Sequence, residues 1–163
     1  HDLKPADIAR VVTHVHQGAI DVLGPVVRPT TVHQSKFSMG TVLALVAQHG
    51  HAGLTEFDRD FLSQQTQALR DKVTMELDAE VDGAYPKRWI GKVTVTTTDG
   101  RVLHGRVDEP KGDPGNTLSR QEITDKALRL AAFSGGAQAE AMRKSVDALW
   151  QVATWPKVGA LLS

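Results

Sequence analysis

The chain has 163 residues, nineteen basic against nineteen acidic, so its formal net charge is +0. That balance argues against nucleic acid or an anionic membrane as the main partner, since both select for clustered basic charge. The absence of cysteine excludes a disulfide framework and a thiolate metal site, and the longest apolar run, Val42 to Ala47, is far too short to span a bilayer.

The first residue is His1, the first methionine is Met39, and nothing ahead of Asp2 resembles a signal peptide. The chain is therefore expected to be a piece of a longer protein, and its lack of cysteine suits a reducing cytoplasm.

In chain order, Pro5-Ala6-Asp7 reads as a turn. Ile8, Val11 or Val12, and Val15 then alternate with Thr13, His14 and His16, which predicts a strand over 8–17. Gly24, Pro25 and Pro29 break it. From Ser38 onward Met39, Val42, Leu43, Val46 and Ala47 recur at helical spacing, until Gly50 and Gly53 end the pattern. Phe57, Phe61 and Leu62 give the apolar face of a helix over about 56–69. The alternation of Val73, Met75, Leu77, Ala79 and Val81 predicts a strand over 72–82.

Residues 89–107 form the clearest hairpin. A three-residue loop, Thr98 to Gly100, pairs Val95 with Leu103 and puts Val93, Val95, Leu103 and Val107 on one face. A two-residue loop would mix polar and apolar side chains on both faces, so the longer loop is favoured, with Gly100 left-handed. A Pro- and Gly-rich loop then ends in a capping box, Ser119 with Glu122, that starts a helix through Ile123, Ala127, Leu130 and Ala131. Ser134-Gly135-Gly136 interrupts it, and a second helix carries Ala141, Val146, Leu149 and Trp150.

This order predicts an α+β fold, helices on one face of an antiparallel sheet, over residues 1–118. C-terminal helices over 119–163 are different in kind and belong with another domain.

Seven histidines invite a metal reading, but His14 with His16 and His49 with His51 make pairs only, without a third converging ligand or an H-E-x-x-H frame. No metal site is expected. The "GDPGN" stretch lacks the lysine and glycine spacing of a phosphate-cradling loop and reads as a turn into the Ser119 cap. Neither G-x-S-x-G nor G-x-G-x-x-G occurs. Acidic pairs such as Asp58 with Asp60 fit solvated faces.

The stretch that carries chemistry is "SKFSMGTVLALVAQHG", where a basic, polar segment turns abruptly into an apolar helix. Lys36 and Ser38 could bind an anionic substrate, with the first helical amides adding positive potential. The alternative, which the residues alone favour, is that Ser38 caps the helix while Lys36 is solvated.

Three stretches in this order, "LKPADIARVVTHV", "SKFSMGTVLALVAQHG" and "GDPGNTLSRQEITDKALRLA", resemble the MmgE/PrpD family of 2-methylcitrate dehydratase, cis-aconitate decarboxylase and iminodisuccinate epimerase. The resemblance implies a lid domain over residues 1–118 and returning helices after it. Both would pack with an upstream all-helical domain in a cytoplasmic homodimer. It implies metal- and cofactor-free elimination, decarboxylation or epimerisation of a small di- or tricarboxylate. Lys36, Ser38 and Thr41 would face that substrate from the lid. The family's main catalytic lysine and histidine lie upstream of the lid's first strand, outside this chain, which alone should be inactive. Some members carry a tyrosine where Thr41 stands, and threonine is a poor acid, so the substrate would differ. The competing reading is a free-standing α+β module for dimerisation or binding, without catalysis.

Overall fold

A computed structural model describes residues 1–136 and 138–159, so Ala137 and the last four residues of the 119–163 segment lie outside the described residues. The chain divides into two compact units, His1–Asn116 and from Thr117 onward. The first is α+β.

Its sheet has the strand order β2-β1-β3-β4, with β1 Ile8–Val15, β2 Val73–Leu77, β3 Gly91–Thr97 and β4 Val102–Val107. β3 pairs antiparallel with β1 and with β4, whereas β1 and β2 run parallel. The antiparallel expectation thus holds for two of the three pairings and is corrected for the third. Between β1 and β2 the chain makes five helices and returns to the end from which it started, and such a crossover delivers a parallel neighbour. The β3–β4 hairpin has Val95 opposite Leu103, and Gly100 closes the loop at φ +87°.

The registers make the sheet two-faced. Val11, Thr13, Val15, Val93, Val95 and Leu103 share one face; Val12, His14, Lys92, Thr94, His104 and Arg106 share the other.

The helices of the crossover are α1 Gln17–Leu23, α2 Val32–Ser35, α3 Met39–His49, α4 Leu54–Asp60 and α5 Gln64–Arg70. α1 and α2 were not expected. Each is short and fixed by a cap: the His16 ring accepts from the Ala19 amide, and Thr31 accepts from the Gln34 amide. His16 therefore leaves the strand, which ends at Val15 and not at residue 17. The single helix expected over 56–69 is two, because Ser63 turns extended and caps α5 through the Thr66 amide. The strand expected over 72–82 stops at Leu77. Asp78 accepts from the amides of Glu80 and Val81, 3.0 Å each, and starts α6, Ala79–Ala84.

The core is centred on α3, where Ala44 and Leu45 are fully buried, with Phe57, Phe61 and Leu69 also buried on the neighbouring elements. α3 packs closely on α5 because residue 40 is glycine. A Cβ there would lie 2.8 Å from Arg70 Cγ and 2.9 Å from the Arg70 carbonyl oxygen.

The second unit is a pair of helices, α7 Arg120–Ser134 and α8 Ala139–Trp150. Ser119 and Glu122 exchange both capping-box bonds, and Gly135 ends α7 at φ +64°. The Trp150 indole donates to Thr124 at 3.3 Å, while the Arg120 guanidinium lies 5.0 Å from its ring centre.

Candidate functional site

Two places in the first unit concentrate polar side chains. One is the corner between α2 and α3. Gln34 Oε1 accepts from the amide and hydroxyl of Thr30, and this fixes the four-residue α2. Lys36 keeps helical backbone angles, with its amide directed to the His33 carbonyl, and Ser38 then turns extended to cap α3.

The three candidate residues separate at this corner. Ser38 and Thr41 come together inside: Ser38 is 1% exposed and Thr41 0%. Thr41 donates its hydroxyl to Ser38 Oγ at 3.0 Å, and its amide is directed to the same oxygen at 3.4 Å. Ser35, also fully buried, donates to the Val32 carbonyl. These hydroxyls satisfy one another and the backbone; Ser38 is the cap that holds the corner in shape, a role worth about 1 kcal/mol. Lys36 stands apart and is exposed. Among the described residues no carboxylate lies within ion-pair distance of it.

The second place is a groove of about 390 Å³ on the polar sheet face, lined by His14, Asp78, Lys92, Thr94, His104 and Arg106 among others. The Thr94 hydroxyl sits between two imidazoles, 2.9 Å from His14 Nε2 and 3.1 Å from His104 Nδ1. A hydroxyl can donate to one ring while accepting from the other, so this row spans β1, β3 and β4 with the Thr94 hydroxyl satisfied on both sides. Beside it the charges alternate. Lys92 lies 2.9 Å from Asp78 and 2.6 Å from Glu80, and Arg106 lies 2.7 Å from both Glu80 and Asp108. Sequence reasoning missed this row; its signal was the polar alternation of Lys92, Thr94 and Thr96. Its cations are already matched by carboxylates, which leaves little attraction for an anion.

The ladder has an acid limit. Arg106 first, then Lys92, hold the Glu80 carboxyl down at about 2, against a desolvation effect that raises it. A carboxyl with a depressed folded-state value stabilises the fold above the ordinary glutamate range, and this contribution is lost as the pH falls through about 2. At pH 6, Glu80→Gln should lower the melting temperature. The wild-type advantage should shrink steadily below pH 4.5 and vanish near pH 2, as read by melting curves of both proteins; a constant difference would contradict the ladder.

The other histidine pair is engaged separately. His49 and His51 diverge to Asp60 and Glu56, 3.1 and 3.3 Å away, and among the described residues no three His, Asp or Glu side chains converge on one point.

The model of the MmgE/PrpD C-terminal domain matches residues 1–152. The chain belongs to the MmgE/PrpD family. No curated protein matches it. The MmgE/PrpD span takes in the whole first unit, with both the α2–α3 corner and the groove, and both helices of the pair that follows. It does not distinguish the two places. Their electrostatics do: the groove is a closed set of ion pairs, while the corner carries an unmatched cation at the start of an eleven-residue helix.

Proposed function

We propose that this chain is the C-terminal part of an MmgE/PrpD-like lyase or isomerase. Its substrate would be a small di- or tricarboxylate, undergoing dehydration, decarboxylation or epimerisation, and Lys36 would contact a substrate carboxylate. The observation that carries the reading is the family match joined to an exposed, unpaired Lys36 beside the α3 N-terminus, where the helix dipole adds to its positive potential. Removing a proton next to a carboxylate builds charge on a group already negative, and an ammonium beside it lowers that barrier electrostatically. Ser38 would act as the cap that positions Lys36. Thr41, buried and bonded to Ser38, would leave proton transfer to other groups. The proton-transferring lysine and histidine would come from an upstream all-helical domain in a cytoplasmic homodimer. Exposed Leu130, Phe133 and Leu149 on α7 and α8 suit packing against such helices.

The test is a titration of the isotopically labelled chain with citrate, a simple tricarboxylate. Amide shifts should centre on residues 36–41. Shifts centred on Lys92 to Arg106, or none, would contradict the reading.

A further inference from the structure

We propose that His33 is a second anion-contacting residue of this corner, gripping the same substrate carboxylate as Lys36; the inference rests on the Lys36 reading above. Lys36 continues the helical turn of α2 at φ −71° and ψ −18°, and its amide bonds the His33 carbonyl at 3.2 Å. Residues 33 and 36 are therefore one turn apart and neighbours on the surface. Both are exposed.

Neither has found a protein partner. His14 and His104 share Thr94, His16 caps α1, and His49 and His51 meet carboxylates. The nearby arginines are also matched: Arg28 and Arg70 share Asp71, and Arg59 pairs with Asp60. Among the described residues the His33 ring has no polar partner; it rests 5.2 Å from the Phe37 ring, tilted by 50°. An unmatched ammonium with an imidazole N–H donor one turn away forms a place of positive potential.

The buried side of the corner explains why the contact falls to His33. Ser38 and Thr41 spend their hydroxyls on each other. The outward groups are then an ammonium and an imidazole. A carboxylate has two oxygens and can accept from both at once, and an imidazole donates an N–H even when neutral.

The citrate titration is repeated with three variants, His33→Ala, His33→Gln and Lys36→Ala, each checked for an unchanged melting temperature. His33→Ala should weaken citrate binding about threefold. His33→Gln, which keeps an N–H donor, should restore most of the loss. Wild-type affinity in His33→Ala together with a loss in Lys36→Ala overturns this inference and leaves the Lys36 reading standing. Wild-type affinity in both variants, or no citrate shifts at residues 31–41, removes both.

Discussion

Leu45→Ala is expected to lower the unfolding free energy by about 2–5 kcal/mol. Leu45 is 0% exposed and sits mid-way along α3, next to Ala44 at 1% and one turn from Thr41. α3 contacts α4 and α5, which carry the buried Phe57 and Leu69. Truncation removes three carbons from a site closed on all sides, so the loss combines lost transfer energy with a cavity that rigid neighbours cannot fill. Leu45→Met, close in volume, should cost less than about 1.5 kcal/mol. Urea unfolding of the three proteins checks this. A loss below about 1 kcal/mol for the alanine variant would mean that α3 is not the centre of the core.

Gly40→Ala should destabilise as well, by about 1–3 kcal/mol. The sign is informative, because the same change in an exposed helix stabilises by up to about 1 kcal/mol. At position 40 the new methyl would press on the Arg70 side chain and backbone carbonyl, both within 3 Å of its place. Arg70 has little room to retreat. Its side chain is 5% exposed, and its guanidinium is tied to Asp71 at 2.9 Å. A second change, Arg70→Ala, should relieve the contact with Cγ but not that with the carbonyl. The double variant would then lose less than the sum of the two single variants. Denaturant midpoints of the four proteins give the coupling directly, and a stabilising Gly40→Ala would contradict the close approach of α3 to α5.

Much of the fold was legible where local chemistry and packing agree. Ser38 and Gly50 bound α3 because a hydroxyl cap and a left-handed glycine are local devices. The hairpin register followed from Val93, Val95 and Leu103 needing one face. What escaped was set by single residues or by distance. Ala79 and Val81 continue the strand alternation, yet Asp78 has already capped a helix. Histidine is an uncommon cap, so His16 concealed α1. The parallel pairing of β1 with β2 joins residues some sixty positions apart, and no local pattern encodes it.

The candidate corner was legible to the same degree. The capping role of Ser38 could be read from its place before an apolar helix. The inward turn of Thr41 could not, since it depends on how α3 packs. Nor could the unpaired state of Lys36 and His33, because pairing is decided by long-range partners such as Asp71 for Arg28 and Glu80 for Arg106.

The measurement that tests the proposed reading most directly is the kinetics of Lys36→Ala in the two-domain enzyme which that reading calls for, acting on the small di- or tricarboxylate it proposes. The account predicts a kcat/KM lowered about tenfold, with a melting temperature within about one degree of wild type, since Lys36 is exposed and, among the described residues, unpaired. An unchanged KM and kcat would take Lys36 out of the site and the α2–α3 corner with it.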